Sequence, residues 1–205
     1  MTRSMETDRK WIVVRVDGKL AGISQDYGRI AEISAYISQK YNEKAVLPYD
    51  EITAKAISFE EVLELRETAR WEDLILFGTD FQKRVWKKLW NLTHNPDENE
   101  SVLKTKAIKL LSYSDFAEIC QNRAGVRPVA HAIALNPLPI VIPCHLVVPK
   151  EAIDRIKEIQ RKAESTIFKG EDLCHTSILN DNAIDFGEYA LGKGLKRRLI
   201  SMDMI

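Results

Sequence analysis

Two adjacent residues, Cys144 and His145, combine a nucleophile with a base. A thiol attacks as its thiolate, and an imidazole beside it can take the proton that must leave. The pair lies in the middle of the most apolar run of the chain, residues 136–149. Because a free cysteine is also a common filler of protein cores, the surroundings of the pair must decide between the two interpretations.

The run around Cys144 contains four prolines, Pro137, Pro139, Pro143 and Pro149. Proline fixes φ and lacks a backbone N–H, so the run can form neither a helix nor a central strand. We therefore predict an extended, locked segment that crosses the interior. Such a frame favours a preorganised reactive cysteine, whereas the other Cys-His pair, Cys174-His175, has no rigid apolar frame.

The residues before this run have the pattern of a helix-turn-helix. A capping-box spacing at Ser112 opens a first helix, residues 121–125 form a turn with a glycine, and an alanine-rich second helix follows at 126–135. Residues 101–135 hold five Lys or Arg and two acids, an excess that suits phosphate contacts. The pattern is typical of DNA-binding proteins, although many helical hairpins share it.

The remaining elements supply a scaffold. Residues 11–16 and 20–23 have the composition of β-strands, and Asp17-Gly18 between them predicts a hairpin turn. Apolar residues at helical spacing predict further helices at 29–41, 58–70, 80–90, 151–165 and 195–203. We interpret residues 1–77 as a small α/β scaffold domain in which nothing is arranged for chemistry.

The composition, with 205 residues of which 45% are apolar and 29% charged, is that of a soluble globular protein. The formal net charge is zero, so any attraction to DNA must come from local charge. Three cysteines without paired spacing indicate a reducing, intracellular compartment, and with four scattered histidines they argue against structural zinc. We see no signal peptide and no run long enough to span a membrane.

Several of these segments together resemble the O6-alkylguanine-DNA alkyltransferase family of suicide repair methyltransferases. The resemblance is carried by Gly78-Thr79-Asp80-Phe81-Gln82-x-x-Val85-Trp86, Ser112-Tyr113, Arg127-x-Val129, the run from Asn136 to His145, Tyr189-x-x-Gly192, and the final helix with Lys196 and Asp203. It implies an α+β fold, in which a small ribonuclease-H-like α/β domain (1–77) precedes a mostly helical, winged-helix-like DNA-binding domain (78–205). Residues 150–186 would be an insertion that is atypical of the family.

The resemblance also implies a reaction. Cys144 would accept the alkyl group irreversibly, and His145 would take the thiol proton through a water molecule. Asp203 stands where the family has a glutamate that supports this histidine, and Asn136 would brace the turn before the reactive segment. Neither a cofactor nor a metal ion is implied.

The DNA contacts follow from the same resemblance. The partner would be double-stranded DNA containing O6-alkylguanine, bound by a monomer through the minor groove. Tyr113 would help to rotate the nucleotide, and Arg127 would enter the base stack in place of the extruded base. The helix face at Val129 and Ala130 would approach the DNA. The guanine pocket would be lined by the backbone of Cys144 and Val147 and by the Tyr189-Ala190 loop.

Five positions depart from the family pattern. Leu146 replaces an arginine, Ala130-His131 replaces a pair of glycines, Leu191 replaces a glycine, and Asp203 is one methylene shorter than glutamate. One alternative is therefore a non-catalytic alkylated-DNA binder or DNA-binding regulator of the same fold. The other is a cysteine hydrolase or thiol-redox enzyme unrelated to DNA, which would turn over repeatedly and whose binding would not fall with salt.

Overall fold

The computed structural model describes residues 10–43, 52–94, 110–122, 125–164, 178 and 180–203. These residues combine helices with two small sheets, which confirms the predicted mixture of helix and sheet. The ribonuclease-H-like and winged-helix-like details stay predictions. The chain divides into two compact units, Met1–Trp90 with Leu135–Cys144, and Asn91–Ala134 with His145–Ile205. The domain boundary after residue 77 stays a prediction.

The first unit contains a three-stranded antiparallel sheet of order β2-β1-β3, with β1 at Trp11–Val16, β2 at Lys19–Ser24 and β3 at Ile52–Ile57. The predicted hairpin turn is confirmed, because Asp17 and Gly18 both have positive φ angles, 49° and 76°. Sequence reasoning missed β3. Its central alanines and lysine are weak strand formers, and its pairing with β1 creates the strand.

Among its described residues the first unit also contains α1 at Tyr27–Glu43, α2 at Phe59–Thr68, a 3-10 helix at Trp71–Asp73, and the first eleven residues, 80–90, of α3 at Asp80–His94. The capping box predicted at Ser58 is confirmed, because its Oγ accepts from the Glu61 N–H at 3.1 Å and its own N–H donates to Glu61 Oε2 at 2.7 Å. Part of the apolar core lies between α1 and the sheet, with Val14, Ala21, Ile30 and Ile37.

The described part of the second unit contains β4 at Leu111–Ser112, α4 at Tyr113–Ile119, α5 at Val126–Ala134, β5 at Val147–Val148, α6 at Lys150–Glu164 and α7 at Lys193–Asp203. β4 and β5 pair in parallel. The predicted helical hairpin is confirmed, because α4 and α5 pack against each other and Ser112 Oγ caps α4 by accepting from the Asp115 N–H. No helix within the described residues is long and apolar enough to cross a membrane.

Candidate active site

The segment before Cys144 is buried throughout, but it is not extended as predicted. The Ile142 N–H donates to Leu138 O at 2.8 Å, and Ile140 between them has a φ of 77°. The chain therefore makes a tight turn, after which Cys144–Leu146 form a short 3-10 helix. The prediction was wrong because prolines exclude helix and sheet ladders yet are common in turns.

Asn136 holds this turn from the inside. Its Nδ2 donates to Ile142 O at 2.9 Å and to Cys144 Sγ at 3.1 Å, while its Oδ1 accepts from the Leu138 N–H at 3.0 Å. A side-chain amide has two N–H hydrogens and one carbonyl, so the three bonds can exist together. Because a donor stabilises an anion more than a neutral group, the bond to Sγ favours the thiolate over the thiol.

The sheet and α1 of the same unit fix the start of the turn. The Ile23 N–H of β2 donates to Pro137 O at 2.8 Å, and Arg29 Nη2 of α1 lies 3.4 Å from Asn136 O. Gly22 of β2 leaves room for α1, since a Cβ there would lie 2.9 Å from Ile33 Cγ2. Sequence reasoning missed these contacts, which make the scaffold residues part of the frame around Cys144.

His145 is the first residue of the second chain segment of the second unit and is fully buried. Its Nε2 lies 2.7 Å from Asp203 Oδ2. A carboxylate only accepts, so Nε2–H donates, and in the neutral ring Nδ1 carries no hydrogen and can accept a proton. The ring of Tyr189 meets the imidazole edge-on, with 6.5 Å between centroids. At 2.7 Å, the Asp203 side chain reaches His145 directly, although it is one methylene shorter than the glutamate of the family.

Lys196 holds α7, the helix that carries Asp203. It is only 1% exposed, and its Nζ donates to Val147 O at 3.0 Å and to Glu188 O at 3.5 Å. Sequence reasoning noted Lys196 without giving it a role. The sequence did indicate its burial, because Lys196 lies among the apolar residues Leu195, Leu199 and Ile200 of the same helix, all of which are buried.

The predicted DNA-contacting residues lie on α4, α5 and the loop before α7. Tyr113 is the half-buried first residue of α4 and follows the strand that pairs with Val147. On α5, Arg127 is exposed, Val129 is buried and Ala130 is half-buried. Ala190, the predicted pocket residue, is exposed. Of the positions that depart from the family pattern, His131 is exposed and Leu146 is buried. The pair Cys174-His175 lies outside the described residues.

The second unit thus brings His145, Asp203 and Tyr189 together, and the first unit brings Cys144 and Asn136 together. The peptide bond between Cys144 and His145 joins the two groups in the chain. Within the part of the chain that the structure describes, no group of three or more His, Cys, Asp or Glu residues could hold a metal ion. The arrangement can generate a thiolate and hold a nearby base in one tautomer.

Comparisons with known proteins point to the same segments. Residues 100–165 match the family model described as 6-O-methylguanine DNA methyltransferase, DNA binding domain. The chain is 37% identical over 78 residues to the probable methylated-DNA--protein-cysteine methyltransferase of Acanthamoeba polyphaga mimivirus, which covers 38% of this chain and 44% of that protein. It is 32% identical over 101 residues to the inducible methylated-DNA--protein-cysteine methyltransferase of Bacillus subtilis, and the aligned residues cover 49% of this chain and 49% of that protein.

A solved structure, the O6-methylguanine-DNA methyltransferase from Pyrococcus kodakaraensis, aligns with 95% of this chain and 91% of that chain at 20% identity and a TM-score of 0.49. The chain spans less than half the length of the two curated relatives named above. The resemblance predicted from the motifs is confirmed for residues 100–165, which contain α4, α5 and the Cys144-His145 pair.

Proposed function

We propose that this chain, whose residues 100–165 match the DNA-binding domain of the 6-O-methylguanine DNA methyltransferases, repairs DNA by moving an alkyl group from O6-alkylguanine to Cys144. The observation that carries the proposal is the buried hydrogen bond of 3.1 Å from Asn136 Nδ2 to Cys144 Sγ. It favours the thiolate at a cysteine whose chain neighbour, His145, is held by a carboxylate. A cysteine that only fills a core has no need of either partner.

In the proposed reaction, Cys144 Sγ gives its proton through a water molecule to His145 Nδ1. The sulfur then attacks the alkyl carbon. A new S–C bond forms as the O6–C bond breaks, and the electron pair of the broken bond stays on guanine. Guanine then takes a proton at N1 from water, while the imidazolium returns its extra proton to water. Asp203 stabilises the imidazolium that forms in between. No step restores the thiol, so each molecule acts once and needs no cofactor.

The burial of Cys144, which is 6% exposed, requires the guanine to leave the base stack. In our proposal a monomer binds duplex DNA through the minor groove, Tyr113 rotates the nucleotide and exposed Arg127 fills the gap. Half-buried Ala130 lets the backbone of α5 approach the DNA, while buried Val129 supports α5 from within. The flipped guanine would meet the backbone of Val147 and the Tyr189-Ala190 loop.

Intact-protein mass spectrometry after incubation with a duplex containing O6-methylguanine tests the proposal. We expect a gain of one methylene mass, because a methyl group replaces the thiol hydrogen. Cys144→Ala should abolish the gain, and Cys120→Ala should keep it, since Cys120 lies at the end of α4 and outside the site. Duplex binding without any gain in the parent protein would instead favour the non-catalytic binder.

A further inference from the structure

The described part of residues 150–186, the segment that the resemblance suggests is an insertion, is tied through Arg155, Asp181 and Arg197 to α7, the helix that ends at Asp203. We propose that this insertion positions Asp203, through a chain of contacts in which Arg155 holds Asp181 and Arg197 of α7 holds the segment after Asp181. The inference rests on the proposed function and adds Arg197 to it as a positioning residue.

The first link joins α6 to Asp181. Arg155 Nε donates to Asp181 Oδ2 at 2.9 Å, and Arg155 Nη1 donates to Glu158 Oε2 at 2.8 Å. The other carboxylate oxygen, Oδ1, accepts from the Ala183 N–H at 2.9 Å. Both oxygens of Asp181 are therefore engaged, which fixes the turn at 181–184. α6 also has an apolar face, because Ala152 and Ile156 are buried, and this face anchors the helix.

The second link joins this turn to α7. Arg197 Nη2 donates to Ile184 O at 2.6 Å, and both terminal nitrogens lie 3.4 Å from Asp181 O. The guanidinium also lies over the Phe186 ring, with Cζ 4.8 Å from its centroid. A planar guanidinium can donate in its plane and stack on its face at the same time, which a lysine cannot reproduce. Ile184 and Phe186 are buried, so the segment that Arg197 holds is itself packed.

The third link is α7 itself. Arg197 precedes Asp203 by six residues, about 9 Å along a helix. Asp203 lies in the last turn, where helices fray. Its side chain is too short to keep the bond to His145 if the backbone of α7 moves. The 2.7 Å bond to His145 therefore depends on where α7 lies. Lys196 ties α7 to Val147, and Arg197 ties the adjacent face of α7 to residues 181–186.

The test compares Arg197→Met, which keeps an unbranched apolar stem and removes the guanidinium, with Arg198→Met at the exposed next residue. Nitrogen-15 NMR of labelled histidine, assigned with His145→Gln, reports the Nε2–H bond. Reaction with free O6-benzylguanine reports the chemistry without DNA. We expect Arg197→Met to lose the slowly exchanging Nε2–H signal and to react about ten to a hundred times more slowly, whereas Arg198→Met should change neither.

Arg197→Lys should recover part of both readouts, because it restores the charge but not the fork of donors. A folded Arg197→Met protein with the parental signal and rate would overturn the inference. If Arg197→Met does not fold, Arg155→Met and Asp181→Asn act on the preceding link and should weaken the same signal. The parental signal in both of them would also overturn it.

The two proposals can fail separately. A His145 signal that depends on Arg197, in a protein that transfers no alkyl group, would support the positioning role and refute the proposed function. Alkyl transfer that is as fast in Arg197→Met as in the parent, with the His145 signal unchanged, would refute the positioning role alone.

Discussion

The amide of Asn136 is chemically suited to its three contacts in a way that no other side chain of its size is. Its nitrogen donates to Ile142 O and Cys144 Sγ, and its oxygen accepts from the Leu138 N–H. A carboxylate has the same shape but only accepts. A carboxylate oxygen in the place of Nδ2 would face the Ile142 carbonyl and the Cys144 sulfur with no hydrogen to donate. The shape of the turn and the ionisation of the thiol therefore depend on the same amide.

Asn136→Asp should therefore suppress the reactivity of Cys144. We expect the rate of alkylation by iodoacetamide at pH 7, followed on the Cys144 peptide by mass spectrometry, to fall about tenfold or more, because a nearby negative charge disfavours the thiolate. Stability should also fall by about 1–3 kcal/mol, since buried acceptors face each other. Asn182→Asp, at an exposed position, serves as the control. An unchanged alkylation rate in Asn136→Asp would contradict this role for the amide.

Asp203→Asn isolates the charge of the carboxylate from its shape. Nε2–H of His145 would still donate, but to a neutral oxygen that stabilises the imidazolium less. We expect the reaction with free O6-benzylguanine at pH 7 to slow about a hundredfold. The matched control is Asp154→Asn, on the exposed side of α6. An unchanged rate in Asp203→Asn would show that the charge of Asp203 is unimportant.

At the scale of elements, the sequence predicted those features that a residue and its near neighbours determine. The capping box at Ser58 and the turn at Asp17-Gly18 each depend on contacts within a few residues. β3 could not be predicted, because it exists through pairing with β1 some forty residues earlier. The turn at Ile140 was missed because its positive φ is locally unfavourable and is held by Asn136.

The candidate site divides in the same way. Motif resemblance predicted Cys144, His145 and Asp203 as the residues of the proposed chemistry, and the structure places His145 beside Asp203. It could not indicate the partners of Lys196 and Arg197, since each of these side chains is held by backbone carbonyls, which leave no trace in residue types.

The attachment of α6 to Asp181 should depend on pH. The backbone N–H of Ala183 and then Arg155 lower the pKa of Asp181 below its ordinary value. Its contribution to stability is therefore complete above the ordinary value of about 3.9 and is lost as the pH falls through the lowered one. We expect Asp181→Asn to lower Tm at pH 7, and the difference from the parent protein to shrink as the pH falls from about 5 to about 3. A difference in Tm that stays constant over this range, or an equal difference in Asp154→Asn, would contradict the ion pair as the cause.

At the scale of the whole molecule, 30 basic and 30 acidic residues cancel, so no long-range field draws the chain to DNA. Affinity must come from a few local contacts, and a local contact can be separated from the chemistry by choosing the substrate. A free base that carries the alkyl group needs only the pocket and Cys144. A base in duplex DNA must also be extruded, which costs a few kcal/mol.

Arg127→Ala should therefore discriminate between the two substrates. The side chain is exposed on α5, so its loss should leave the pocket intact and keep the rate with free O6-benzylguanine within about twofold of the parental rate. Repair of O6-methylguanine in a duplex should slow about tenfold or more, because nothing then replaces the extruded base in the stack. The comparison requires single-turnover rates on both substrates, with Arg84→Ala as control, since exposed Arg84 has the same charge on α3. Equal losses on both substrates would mean that Arg127 supports the fold of the site and does not replace the base.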